Sequence, residues 1–371
     1  MTFVNNILKT MENKDFCVFI ITHGRPEKVI TYKTLLKCGY TGKVYFVLDN
    51  EDKTIEQYKQ KFGEEMVLVF DKKEMAELTD EGNNFDNRRT TTHARNYTFK
   101  VANELGFTYF IQLDDDYYYF GYRYDTGARI IKNLDAVFSI LVDFYKSTNI
   151  KSIAFSQGGD HIGGFMGIKL KRKCMNSFVC STEREFKFIG SLNEDVNTYV
   201  TLGSRGDLFF TFTNLQLDQK DTQSQEGGMS DSYNLHGTYV KSFTSIMMHP
   251  SSVKISMMNV NNPRLHHTIK WGATTPMIIS EKHKKVNESK TLLEILDLTD
   301  EPNVIPDIID SRQREHKETI KVALEPIKNQ LRFWLLQFNA PNNIPDHRVA
   351  EIIMKKYESF INWCNQQIEE I

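Results

Sequence analysis

The sequence predicts an α/β fold, a mixed sheet flanked by helices, with a helical C-terminal appendage. Three observations predict it. Between residues 16 and 116 short apolar runs alternate with stretches of helical period. After residue 116 the apolar segments become aromatic or alternating and are separated by long loops. Beyond residue 280 the apolar residues recur at helical spacing.

The elements follow in order. Phe16–Ile21 is a continuous apolar run, as in a strand buried on both faces. It breaks at Thr22-His23-Gly24-Arg25-Pro26, and Pro26 suits the first position of a helix reaching about Lys37. Lys43–Asp49 is a second strand, Thr54–Phe62 a helix and Met66–Phe70 a third strand. A polar, Asn-rich loop follows to about Arg89. Thr91–Leu105 is a helix with Ala94, Tyr97, Val101 and Leu105 on one stripe, ended by Gly106. Tyr109–Leu113 is a fourth strand, and it closes on Asp114-Asp115-Asp116. Strands spaced by helices make a parallel sheet covered on both faces, of Rossmann type.

The second half is less regular. Tyr117–Tyr124 is short and aromatic, Leu134–Tyr145 is a helix, and Ser152–Ser156 is a buried strand entering the glycine-rich stretch 158–164. Residues 207–217 and 238–247 are expected as strands of alternating or mixed burial. Long loops in such a domain are more often binding surface than filler. The charged stretch Glu281–Lys290, with Pro302 and Pro306 beyond it, sets a boundary between a domain over 1–280 and an appendage over 281–371. In the appendage Ile327, Leu331, Trp334, Leu335 and Phe338 share one helical stripe, and Val349, Ile352, Ile353, Tyr357, Phe360, Ile361 and Cys364 another. It is a packed helical pair or a partner-binding surface.

Composition bounds the function. The net charge of -2 over 371 residues gives no global field to gather nucleic acid, so a polyanion site must come from local patches. Arg88 and Arg89, and Lys169, Lys171, Arg172 and Lys173, are such patches, or else solvated faces. Five scattered cysteines form no C-x-x-C pair, which indicates neither a disulfide framework nor a zinc cluster. Met1–Lys14 lacks the apolar core of a signal peptide, and no apolar run has the length of a membrane span. The expected location is a reducing cytoplasm.

The chemistry concentrates at strand ends. In a parallel sheet the ends of successive strands lie on one side, where ligands bind. Thr22–Pro26, Asp49, His93-Ala94-Arg95-Asn96 and Asp114–Asp116 all fall there. The first loop, with His23, offers backbone N–H groups and Arg25. Asp49 can accept hydrogen bonds from a base or ribose. Arg95, with Asn96 beside it, can clamp a phosphate. Three adjacent carboxylates repel one another unless a cation sits among them, and Mg²⁺ or Mn²⁺ is commonly shared between carboxylates and substrate phosphates. The alternative for the triplet is a solvated acidic turn. Together these residues describe a nucleotide-diphosphate site. Glu194-Asp195 is a second acidic pair, and Asp195 can act as a general base towards an acceptor hydroxyl. The other reading is a helix start, capped by Asn193. His267, or else His266 or His249, could give a nitrogen ligand to the metal.

This set of motifs, in this order, resembles the GT-A fold glycosyltransferases. Ile21-Thr22-His23-Gly24-Arg25-Pro26, Asp49, Ala94-Arg95-Asn96, Leu113-Asp114-Asp115-Asp116 and Glu194-Asp195 carry the resemblance over residues 16–200. Phe155–Asp160 and the loop Gln225–Asp231 narrow it to the TET/JBP-associated glycosyltransferases. The resemblance implies a GT-A-like Rossmann-type sheet and a UDP-sugar donor. It implies that Asp114 or Asp115 meets the ribose, that Asp116, with Asp114, holds the metal, and that Asp195 is the base of an inverting transfer. It implies an acceptor hydroxyl on a hydroxymethylated pyrimidine, such as hydroxymethylcytosine, in bacteriophage DNA inside the host cytoplasm. A protein, glycan or lipid acceptor is the alternative. Outside the resemblance stand a glycoside hydrolase using two acids and a non-catalytic binding module.

Overall fold

β1 (Phe16–Ile21) is buried along its whole length and pairs in parallel with strands on both sides. One neighbour is β2 (Lys43–Asp49), itself paired in parallel with β3 (Val67–Phe70). The other is β4 (Tyr109–Asp114), so the strand order is β3-β2-β1-β4 and it reverses direction at β1. The computed structural model describes residues 15–82, 88–124, 127–157, 160, 168–169, 174–219, 238–258 and 264–274. All lie within one compact unit, Met11–His283. The helices expected over 281–371, the basic residues Lys171, Arg172 and Lys173 and the 225–231 loop lie outside the described residues.

Beyond β4 the sheet turns mixed. β9 (Ser177–Ser181) runs antiparallel to β4, and β7 (Ile150–Ser156) antiparallel to β9. β10 (Leu208–Gln219) then runs parallel to β7, β5 (Tyr117–Tyr124) antiparallel to β10, and β6 (Gly127–Ile130) antiparallel to β5. The short β8 (Ile168–Lys169) pairs with β10. These directions gather the C-terminal ends of β1, β2, β3, β4, β7 and β10 and the N-terminal ends of β5 and β9 along one edge of the sheet. This is the expected mixed α/β sheet flanked by helices.

The helices are α1 (Ile30–Lys37), α2 (Ile55–Phe62), α3 (Lys72–Glu77), α4 (Thr92–Glu104), α5 (Leu134–Ser147), α6 (Glu194–Ser204), α7 (Thr238–Met248) and α8 (Trp271–Thr274). A hairpin of β11 (Val253–Met258) and β12 (Arg264–Ile269) follows α7. The core beneath α4 is aromatic. Phe110 meets Phe19 and Phe99 edge-on, with centroids 5.5 and 5.1 Å away. Truncating one such ring to alanine costs about 3–5 kcal/mol.

Three elements differ from expectation. Pro26 opens a single 3-10 turn, Pro26–Lys28, and the α-helix starts at Ile30. The break has a cause: Ile30 N–H and Thr31 N–H both donate to the Asp115 carbonyl, at 2.8 and 3.1 Å. The buried side of α4 is Ala94, Arg95, Thr98, Phe99, Val101 and Ala102, whereas Leu105 stays 39% exposed. Residues 238–247 form α7, not a strand. Its buried residues are Ser242, Thr244 and Ser245, and Met247 is 71% exposed, so its apolar pattern does not mark the side that packs.

Candidate active site

The aspartate triplet ends β4 at the point where strand order reverses, next to the loop that leaves β1. Crevices of this kind bind ligands in open α/β sheets. The three carboxylates do different things. Asp115 is fully buried and faces inward. Arg25 grips it with two bonds, Nε to Oδ2 at 2.8 Å and Nη2 to Oδ1 at 2.6 Å. The Thr22 hydroxyl donates to the same Oδ2 at 2.6 Å and also meets the Tyr58 hydroxyl at 2.7 Å. Arg25, Thr22 and Asp115 therefore bond one another and lock the β1 loop to the β4 end. This pairing among three residues expected at a nucleotide takes up both Asp115 oxygens and the Nε and Nη2 of a half-buried Arg25.

Asp114 points the other way and pairs with Arg95, Nη2 to Oδ1 at 2.9 Å. Arg95 is 2% exposed, lies over the Phe178 ring at 4.9 Å, and reaches Glu194 with Nε at 2.9 Å. Its Nη1 has no hydrogen-bond partner among the described residues. Burial opposes the guanidinium charge, but Asp114 and Glu194 outweigh it and hold Arg95 firmly protonated. Arg95 is thus a buried tie between the aspartate strand and α6, not a clamp presented to a phosphate. Asn96 is engaged likewise, its side chain bonding both the N–H and the carbonyl of Phe188 at 2.7 and 3.0 Å.

Glu194 is buried, which favours its neutral form, but Arg95 prevails and lowers its pKa; the Thr91 hydroxyl also donates to it at 2.7 Å. Asp195 is in the same first turn of α6 and takes only a bond from the Val196 N–H, at 2.8 Å, among those described. Burial, reinforced by the Glu194 charge, pushes Asp195 up to about 6. A carboxylate near that value suits proton abstraction close to neutral pH. Asn193 stands at the N-cap position but makes no side-chain cap bond. It adopts a left-handed conformation, φ 55°, and its Nδ2 instead bonds the Lys241 carbonyl and the Ser245 hydroxyl of α7, at 2.8 and 3.0 Å.

Asp116 lacks such ties. Among the described residues no side chain bonds or pairs with its carboxylate, and burial with the Asp114 and Asp115 charges pushes it up to about 7. A half-buried acid destabilised by its neighbours, beside an Asp114 whose Oδ2 carries no bond among the described residues, is a hard-oxygen donor set that fits Mg²⁺ or Mn²⁺ completed by phosphates. The expected nitrogen ligand is not brought into that set. His267 Nδ1 lies 3.5 Å from Asn193 Nδ2, and its ring packs on His266 with centroids 4.4 Å apart. His249 Nε2 meets the Thr201 hydroxyl at 2.8 Å on α6. Among the described residues no three His, Cys, Asp or Glu side chains cluster as metal ligands.

A cavity of about 500 Å³ opens where β1 and β2 end, lined among others by His23, Asp52, Thr54, Lys72, Arg88 and Arg89. His23 Nδ1 meets Asp49 Oδ2 at 2.8 Å, and Lys72 Nζ meets Asp49 Oδ1 at 3.3 Å. Burial works against Asp49's charge, yet His23 and Lys72 together draw its pKa down; the same hydrogen bond raises that of His23. His23 and Asp49 thus bond one another where β1 and β2 end. Asp52 and Lys72 are residues that sequence reasoning missed. Asp52 follows Asp49 by one turn and could have been suspected; Lys72, on a separate helix, carries no local signal.

Comparison with known proteins bears on this arrangement. The sequence profile described as TET-Associated Glycosyltransferase matches residues 16–228. No curated protein matches. Among solved structures, glucosyl-3-phosphoglycerate synthase from Mycobacterium tuberculosis, in complex with Mg²⁺ and UDP, is similar with a TM-score of 0.40 at 8% identity, over 72% of this chain and 91% of that one. S. aureus TarS 1-349 in complex with UDP is similar with a TM-score of 0.35 at 13% identity, over 54% of this chain and 60% of that one. Among the described residues no helix is long and apolar enough to cross a membrane.

Proposed function

Because the chain belongs to the TET-associated glycosyltransferase family, we propose that it moves a sugar from a nucleotide-diphosphate donor, a UDP-sugar, to the hydroxyl of a hydroxymethylated pyrimidine in DNA. One observation carries the catalytic part. Among the described residues Asp116 has no side-chain partner beside Asp114, and Arg95 ties that same Asp114 to the helix start bearing Asp195.

Asp114 and Asp116 would hold Mg²⁺ or Mn²⁺. Such a cation supplies charge neutralisation to a departing diphosphate. The protein's own residues do the rest. Arg25 and Thr22 fix Asp115 and with it the turn that aims Asp116. The nucleotide end of the donor lies in the cavity of His23, Asp52 and Lys72, whose His23 and Lys72 are held from behind by Asp49. Asp195 takes the proton from the attacking hydroxyl, and attack opposite the leaving group inverts the sugar carbon. Glu194, paired with Arg95, keeps α6 in place and is a positioning residue.

The test is mass spectrometry of nucleosides from hydroxymethylpyrimidine DNA incubated with the enzyme, pooled nucleotide sugars and Mn²⁺. A glycosylated nucleoside, absent with Asp195→Asn, is the expected result. Label that enters protein, glycan or lipid but never DNA would replace the acceptor. Activity that persists in EDTA without any nucleotide sugar would replace the transferase by a hydrolase.

A further inference from the structure

Three side-chain amides meet on the sheet edge that carries the aspartates. Gln219, the last residue of β10, accepts at its Oε1 from Asn176 Nδ2 at 3.1 Å and from Gln157 Nε2 at 3.4 Å. Asn176 immediately precedes β9, and Gln157 immediately follows β7. Gln219 is the register partner of Tyr117, the residue after Asp116. The Tyr117 hydroxyl in turn donates to the Asn176 carbonyl. Strand direction thus brings residues from four separate segments to one place, next to Asp116.

The cluster is uncharged and half-buried. Each amide carries one acceptor oxygen and two N–H donors, whichever way it is turned. The bonds among the three satisfy the Gln219 oxygen and one N–H each of Gln157 and Asn176. The Gln219 amino group and the Gln157 and Asn176 oxygens have no partner among the described residues, so donors and acceptors are left side by side. Vicinal hydroxyls of a sugar ring, each both donor and acceptor, match such a set. Carboxylates and ionised phosphates match it less well, since they only accept and would face the Gln157 and Asn176 oxygens without a donor.

Position selects the ligand. A sugar is bonded directly to the diphosphate that Asp116 and Asp114 would anchor. Tyr117, which pairs with Gln219 where the β5–β10 register shifts, follows Asp116 directly in the chain, and paired strands lie about 4.8 Å apart. We propose that Gln157, Asn176 and Gln219 form the subsite for the hydroxyls of the transferred sugar, and that this sugar is neutral. The proposal rests on the nucleotide-sugar donor proposed above but not on the DNA acceptor.

Calorimetric titration of the full chain in Mn²⁺ tests it, with UDP, UDP-glucose, UDP-N-acetylglucosamine and UDP-glucuronate as probes. Wild type should bind a neutral UDP-sugar more tightly than UDP. Gln219→Leu should weaken that sugar nucleotide about tenfold, as for loss of one or two hydrogen bonds, and leave UDP unchanged. Asn176→Gly keeps the backbone at its φ of 60° and removes just the amide, and it should give a smaller loss of the same selectivity. Equal loss for UDP and sugar nucleotide, no loss in either variant, or preference for UDP-glucuronate overturns the subsite and leaves the donor proposal standing. Wild type that binds none of the probes overturns both, and that outcome is seen before any variant is made.

Discussion

The carboxylates of Asp114, Asp115 and Asp116 divide by what each one faces. Asp115 is buried facing Arg25 and Thr22, so Asp115→Asn strips a half-buried guanidinium of its charged partner. We expect it to lower stability by about 3 kcal/mol in urea unfolding, the scale of a broken buried pair. Asp116 is repelled by its neighbours, so Asp116→Asn should leave stability unchanged or raise it, while abolishing Mn²⁺ binding in a titration. Asp195 gives a pH prediction. With its pKa pushed up to about 6, the base is ionised above that value, so kcat/KM should rise through about pH 6 and then level. Stability moves oppositely. Folded Asp195 keeps a proton that the unfolded chain, with an aspartate near ~3.9, gives up earlier. That stabilising contribution is complete below about pH 4 and is lost as pH climbs through about 6. These residues show where sequence reading reached its limit. The triplet was visible because it closes an apolar run, but which acid faces inward depends on Arg25, some ninety residues away. Arg95 looked like a phosphate clamp, yet it shares a helical stripe with Phe99, four residues on, and that spacing was the signal for burial.

At the scale of elements, α6 depends on Asn193. Its left-handed backbone turns the chain into the helix, and its side chain ties the helix start to α7. Asn193→Gly and Asn193→Ala both lose the tie, but alanine also bears the left-handed strain. The glycine variant should be the more stable by roughly 1 kcal/mol in chemical denaturation. The strands β1 to β4 were legible because continuous apolar runs between helices have few other uses in a chain of this composition. α7 was not. Tyr239, Val240, Phe243 and Thr244 favour strands by propensity, and the helix packs through Ser242 and Ser245, hydroxyls that a hydrophobicity pattern counts as surface. The histidines of β12 carry no local signal of what they touch, and His267 meets Asn193 at the start of α6.

At the scale of the molecule, the working edge draws on both kinds of sheet. The parallel strands supply the His23–Lys72 cavity and the aspartates, and the antiparallel insertion supplies α6 and the amide cluster. A donor that spans this edge should stabilise the whole fold by mass action, about 2.7 kcal/mol at a hundred times its Kd. We expect UDP to raise the melting temperature in Mn²⁺ and to do so far less in EDTA, read by differential scanning fluorimetry. The Rossmann-type half was foreseeable from alternation of elements, whereas β9, inserted between β4 and β7, was not, because no local pattern reveals a strand's neighbours. The Arg95 tie has one more consequence. It joins Asp114 to a glutamate eighty positions later in the chain, through a cation that cannot stay buried without both. During synthesis the ribosome releases Asp114 long before Glu194. A nascent polypeptide that has emerged only as far as the triplet therefore holds an unsettled pocket, and Arg95 gains its second carboxylate only when the start of α6 clears the exit tunnel.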